Sequence, residues 1–390
     1  MRIGVDATSW TNRRGYGRFA RNALSRLVEL DAETAYVFVV DEESGRSARL
    51  PAGAETLTVA LSRAPARAAA SASYRRPADL LRLAVGVSRA RFDALLFPSV
   101  YTYFPSLGVP TVVGLHDLIA SDLPELTLPR SRDRLFWQAK ERLAIRLARR
   151  LFTVSESARD RISARLRIPT GRLGVVPEAP DPVFWPRAAA EVEAALAAVG
   201  LPAGRRYLLY AGGISPHKDV ETLLVAFATL KEGGAAGDLA IVVAGALEDE
   251  AYLSAAGSVR RAVIRLGLGS DVLLPGFVDD EVLAGLYSGA VALVSPSLAE
   301  GFGLPPVEAA ACGAPVVLSD IPAHRETLAG EALYFPPGDA DALAEHLRRL
   351  LGSEVLRRSL AERGHRRVAR YTWDAAAEAL RALLGEAVDG

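Results

Sequence analysis

A rhythm constrains this chain more than any single residue does. Short apolar runs without internal polar alternation recur along all 390 residues, separated by longer stretches of helical periodicity. The first half holds RIGVD (2–6), AYVFVV (35–40), ETLTVAL (55–61), DALLF (93–97), PTVVGL (110–115), LFTVS (151–155) and LGVVP (173–177). The second holds RYLLYAG (206–212), LAIVVAG (239–245), DVLLPG (271–276), VALVSP (291–296), PVVLS (315–319) and ALYF (332–335). Such runs suit strands buried on both faces. Alternation with helical patterns (17–30, 133–149, 219–231, 281–288 and 340–351) predicts βαβ units around parallel sheets. The stretch PEAPDPVFWPR (177–187) reads as a linker, because proline neither continues a helix nor sits in a central strand. Two α/β domains follow, 1–180 and 181–370, with a closing segment 371–390. Ligands of such sheets bind outside the carboxyl ends of the strands, so a cleft between the domains is the expected site. The low-complexity segment 62–77 reads as a loop or an Ala/Arg helix.

Charge and composition exclude several classes. The 46 basic residues balance the 46 acidic ones, which leaves no field to draw nucleic acid. The single cysteine, Cys312, makes neither an internal disulfide nor a metal cluster, and its AACGAPVV context reads as a buried helix end. No His, Cys or carboxylate cluster has ligand spacing, so no metal is expected. The start, MRIGVDATSW, has no signal-peptide core, and no window approaches a membrane span of about 18 apolar residues. A cytoplasmic location is the expectation, with peripheral contact at the inner membrane face as its variant. Only three basic residues are lysine: Lys140, Lys218 and Lys231.

The richest motif is SPSLAEGFGLPPVEAAACGAPVV (295–317), which reads as strand, glycine loop, helix, strand. Pro305 and Pro306 suit a helix start and Gly313 a helix C′ position. Glu300 falls in the loop and Glu308 just inside the helix. Free amides and the positive dipole end suit a phosphate there, glycines permit close backbone approach, and Glu308 suits a pair of ribose hydroxyls.

This string resembles the donor-site signature of retaining glycosyltransferases of family 4, which have the GT-B fold. MRIGVDA with GYGRFARNAL, GLHDL (114–118), FTVSESARDRI (152–162), YAGGISPHKDVETLLVAF (210–227), LPGFVDDEVLAGLY (274–287) and RYTWDAAAEAL (370–380) are similar to family segments in the same order. The resemblance implies two Rossmann-like doubly wound domains facing across a cleft, with a C-terminal helix (about 373–385) crossing back to the N-terminal domain. It implies a metal-independent transferase. A nucleotide-diphosphate sugar, UDP- or GDP-linked, gives its sugar to a saccharide, glycolipid or small-molecule hydroxyl by front-face chemistry. No cofactor beyond the donor is implied.

Residue by residue, the resemblance gives Lys218 the leaving diphosphate, Glu300 the orientation and stabilisation of the sugar, and His116 a place beside the transferred sugar. Gly15 and Gly17 match the loop approaching the donor phosphate. Arg13, Arg14 and Arg18 offer charge there or a solvated face. Gly212 or Gly213 stands at the place of a family arginine, with Gly213 counted to the donor site. Phe302, Gly303 and Leu304 match the sugar-hydroxyl segment, Glu308 the ribose partner, and Phe277 the base pocket or a plain core position. Asp117, Asp279, Asp280, Glu281, Asp339 and Asp341 read as helix caps or helix starts. The basic segment 130–152 reads as a helix packed on the first sheet with solvated arginines, or as one docking on anionic lipid. Two other readings remain open, a nucleotide-sugar isomerase or hydrolase and a non-catalytic nucleotide-sugar binder. A nicotinamide dehydrogenase fails, since GYGRFA lacks the third glycine of a dinucleotide fingerprint.

Overall fold

The computed structural model describes residues 1–389 apart from Ser9, Arg13, Arg14, 63–75, Leu107, Pro129 and 247–253. The expectations for Arg13, Arg14 and most of 62–77 therefore lie outside the described residues. Two compact units emerge among the described residues: those of 1–178 with 372–389, and those of 179–371.

The first unit is built on a parallel sheet of seven strands: β1 (Arg2–Asp6), β2 (Ala35–Asp41), β3 (Glu55–Val59), β4 (Ala94–Phe97), β5 (Thr111–Gly114), β6 (Arg150–Thr153) and β7 (Leu173–Val175). Their order is β3-β2-β1-β4-β5-β6-β7. Val5 pairs with Phe38 on one side and Leu96 on the other, and β4 is buried throughout. The six strands of the second unit are β8 (Tyr207–Ala211), β9 (Ala240–Ala244), β10 (Val272–Gly276), β11 (Ala292–Ser295), β12 (Val316–Ser319) and β13 (Leu333–Phe335). They run in the order β10-β9-β8-β11-β12-β13, again all parallel. In each sheet the direction of winding reverses once, between β1 and β4 and between β8 and β11. Such a reversal parts the following loops and opens a crevice at the carboxyl ends of the strands.

Helices cover the sheets by burying one apolar stripe each. In the second unit Val220–Glu232 buries Leu223, Leu224, Phe227 and Leu230, against a core that includes Leu208, Ile241 and Val294. The last helix, Trp373–Asp389, belongs to the first unit, where it buries Trp373, Ala376, Ala377, Leu380 and Leu384. Trp373 meets Phe19 edge-on at 6.2 Å, and Asp374 accepts two hydrogen bonds from Arg26, 2.5 and 3.0 Å. Gly174 admits this helix: a Cβ there would lie 2.8 Å from Leu383 Cδ2.

Three local expectations change. Gly15 and Gly17 form the first turn of the helix Gly15–Leu30, not a free loop. Gly17 is required there because a Cβ would fall 2.1 Å from the Asn12 carbonyl, whereas nothing surrounds Gly15. Phe277 is no core aromatic but about half exposed, at 49%. The helix Ser131–Leu147 packs through Trp137 and Ala144 together with the buried carboxylates Asp133 and Glu141, while Leu135, Phe136, Leu143 and Leu147 stay exposed, so only part of its apolar set faces the core.

Candidate functional site

The crevice of the second sheet is lined by the loops after β8 and β11, which the chain ties together. The Leu298 amide donates to the His217 carbonyl at 2.8 Å. After β8, Gly212 takes φ +134. The Tyr210 hydroxyl then donates to the Gly213 carbonyl at 2.7 Å, and a single 3-10 turn, Pro216–Lys218, carries the chain onward. That turn aims Lys218 across the crevice. Its Nζ donates to both oxygens of Glu300, at 2.6 and 2.8 Å. Burial pushes the Glu300 carboxyl upward, and the charge of Lys218 more than offsets this and holds it below its ordinary value. Glu300 is therefore ionised and Lys218 is already engaged.

The next helix, Leu304–Ala311, starts at this loop with Pro305 and Pro306 in its first turn. Gly303 takes φ +87, and a Cβ there would press on the His324 ring at 3.1 Å. His324 is fully buried, and its Nδ1 donates to the Ser319 carbonyl at 2.9 Å. Burial lowers its pKa, although Glu300 acts against that. The neutral ring thus packs beneath the 300–304 loop. Phe302 is buried against Tyr371, centroids 5.1 Å apart. Glu308 is one turn deeper and only 3% exposed, and it accepts from the Tyr287 hydroxyl at 3.3 Å.

The chain thus brings Lys218, Glu300, Gly303 and Leu304 to one crevice, with Gly213 on the same β8 loop. Phe277 follows β10, the edge strand, with β9 between it and β8. His217 and His324 were absent from the sequence-derived site. His324 sits in a helix far along the chain, so no spacing signals it, whereas His217 adjoins Lys218 and was open to inspection.

In the first unit, His116 follows β5. Its Nε2 donates to the Pro98 carbonyl, after β4, at 2.8 Å, and its Nδ1 lies 3.6 Å from Glu178. Burial lowers its pKa, and pairing with Glu178 more than reverses this, leaving it raised. With both ring nitrogens engaged, the ring acts as a brace among three loops. Glu178 is a residue that sequence reasoning missed, because it sits in the proline-rich linker. Gly15 and Gly17 lie near β1 in this unit, and Gly17 is buried.

The features read as caps divide. Asp117 accepts from the Ile119 amide at 2.8 Å and Asp339 from the Ala342 amide at 2.9 Å. Asp279 precedes the helix Asp280–Gly289 without a side-chain capping bond. Cys312 is buried, which pushes its thiol up to about 12 and removes it as a nucleophile at neutral pH. Among the described residues no group of three His, Cys, Asp or Glu is placed to hold a metal ion. No described helix is long and apolar enough to cross a membrane.

Comparison with known proteins follows this geometry. The model described as "Glycosyltransferase Family 4" matches residues 13–183, and that described as "Glycosyl transferases group 1" matches 192–367. O-antigen chain mannosyltransferase B of Escherichia coli is 29% identical over 275 residues, covering 70% of this chain and 69% of the relative. Sucrose-phosphate synthase of Thermosynechococcus elongatus has a TM-score of 0.77 at 20% identity, covering 99% of this chain and 98% of that one. HepE of Anabaena, solved with UDP-glucose, has a TM-score of 0.73 at 17% identity, covering 98% and 99%. Fold, order of motifs and both family models agree, so the chain belongs to the group 1 glycosyltransferases of family 4, hexosyltransferases of GT-B fold.

Proposed function

We propose that this hexosyltransferase takes its sugar from a nucleoside diphosphate and passes it, with retention of anomeric configuration, to a saccharide or glycolipid hydroxyl. The observation that carries the reading is the Lys218–Glu300 pair at the β8/β11 reversal, beside the start of the helix Leu304–Ala311. A compact ammonium in a partly dehydrated crevice suits the charge that grows on a departing diphosphate. The bond from sugar C1 to phosphate oxygen breaks as the bond to the acceptor oxygen forms. The acceptor's proton passes to the phosphate oxygen being released. Glu300 positions Lys218 and the sugar and need not attack C1. Glu308 receives the ribose after its hydrogen bond from Tyr287 is shared or exchanged. The first unit shapes the acceptor site, with His116 bracing the loops around it. The reading requires no metal ion.

The family model, the mannosyltransferase relative and the UDP-glucose bound to HepE support this choice of donor class. Mannose is accordingly the first sugar to test. A thermal-shift panel of UDP, GDP, ADP and their sugars should show stabilisation by one base. NMR of the product made with that donor should show the donor's own anomeric configuration. An inverted product would remove the retaining assignment, and a flat panel would remove the donor class.

A peripheral lipid contact belongs to the same reading. Leu135, Phe136, Leu143 and Leu147 are exposed on Ser131–Leu147, with Arg132, Arg142 and Arg146 exposed alongside them. Exposed apolar side chains among arginines match an anionic lipid surface by both shape and charge.

A further inference from the structure

The charges around Lys218 raise a problem for any diphosphate ligand. Both oxygens of Glu300 hold the ammonium of Lys218, so this pair is neutral as a unit. His324 is buried and its pKa is lowered. Glycine occupies both 212 and 213, so the β8 loop adds no further cation before Ser215. An incoming diphosphate would thus meet a cluster with no net charge, although charge-assisted contacts are what hold phosphates.

His217 immediately precedes Lys218 on the Pro216–Lys218 turn and is 7% exposed. Its backbone is fixed by the bond from the Leu298 amide. Its Nδ1 is buried and has no hydrogen-bond partner. Buried polar nitrogens are nearly always paired, so an orphan beside a binding crevice calls for an explanation. Burial first and the charge of Lys218 second lower the imidazole to about 4, and Glu300 alone acts in the other direction. The ring is therefore neutral at neutral pH. A phosphate drawing Lys218 away from Glu300 would reverse this balance, because both the phosphate and the released carboxylate favour the protonated ring.

Resting on the donor reading above, we propose that His217 is a phosphate-binding residue that takes up one proton from solvent as a nucleoside diphosphate enters. The imidazolium then supplies the second cation beside Lys218, and the orphaned Nδ1 gains a partner. Binding and acid become linked: protons favour the diphosphate, and the diphosphate favours the proton.

Calorimetric titration of the full chain tests this. The probe is whichever of UDP, GDP or ADP gives the largest thermal shift. Each titration is run near neutral pH in two buffers of unlike ionisation enthalpy. Wild type should take up more protons per site than His217→Gln, by a difference approaching one. The proton balance of the nucleotide itself is common to both proteins and cancels. His217→Gln should bind about tenfold more weakly near pH 6.5, roughly the loss of one charge-assisted contact, with the gap closing as pH rises. His217→Arg should restore affinity without proton uptake, which a purely structural role for the ring would not allow. Equal proton uptake in wild type and His217→Gln would overturn the proposal while leaving the donor reading intact. No binding of any of the three nucleotides to wild type would overturn the donor reading itself, and this inference with it.

Discussion

Glu141 shows how one buried carboxyl governs stability. It lies on the inner face of Ser131–Leu147, and the Ser121 hydroxyl lies 3.0 Å from each of its oxygens. The Trp137 indole donates to that same hydroxyl. Burial raises the Glu141 carboxyl from 4.5 to about 7. Between those values the folded protein holds a proton that the unfolded chain has released, so stability falls as pH rises through this window. The loss is bounded by about 3 kcal/mol. Glu141→Gln should match wild type near pH 5 and exceed it near pH 8 by about 1–3 kcal/mol in urea denaturation. A variant less stable than wild type at both values would contradict the assignment. Lysine usage finds its reasons at this scale too. Lys231 pairs with Asp271, and Lys140 donates to the Tyr101 carbonyl at 2.5 Å while lying over the Trp137 ring. All three lysines are thus engaged, and only Lys218 meets its partner at the crevice.

Among the elements, the strands were legible and several of the contacts were not. Every one of the thirteen strands falls within a residue of its apolar run at the leading end, because strands buried on both faces leave uninterrupted runs. The helix at Ser131, where no side chain caps the N-terminus, starts two residues ahead of its apolar pattern. Gly313, read as a helix C′ position, takes φ +78, and Gly303, read only as permitting close backbone approach, also proves left-handed at φ +87. His324 beneath Gly303, Glu178 beside His116 and Tyr287 on Glu308 each join residues far apart in sequence, and no local pattern encodes such a meeting. The exposure of Phe277 was hidden for the same reason, since an aromatic after a strand looks alike at the centre and the edge of a sheet. The final helix carries its own prediction. Leu380 is fully buried on Trp373–Asp389, so Leu380→Ala should cost about 2–4 kcal/mol. Urea denaturation followed through the first unit's tryptophans would register it, and a cost below about 0.5 kcal/mol would mean that the helix is not held by its apolar face.

For the whole molecule, the proposed function assigns donor binding to the second unit and an acceptor site with a lipid-facing surface to the first. The surface is tested by sedimentation with vesicles. Wild type should pellet with phosphatidylglycerol vesicles and not with phosphatidylcholine. Leu135→Glu with Leu143→Glu should abolish pelleting while thermal unfolding stays near that of wild type. Equal pelleting of the double variant would assign that helix face to solvent.

The central claim is that sugar transfer from a nucleoside diphosphate runs through Lys218. The most direct test measures nucleoside diphosphate released by the purified chain from GDP-mannose and UDP-glucose, with a saccharide acceptor present. Wild type and Lys218→Ala are compared. Wild type should show acceptor-dependent release from one donor, and Lys218→Ala a fall of about 10²–10³ in kcat, the scale expected for loss of one charge-stabilising group. Release by Lys218→Ala at the wild-type rate would contradict that claim.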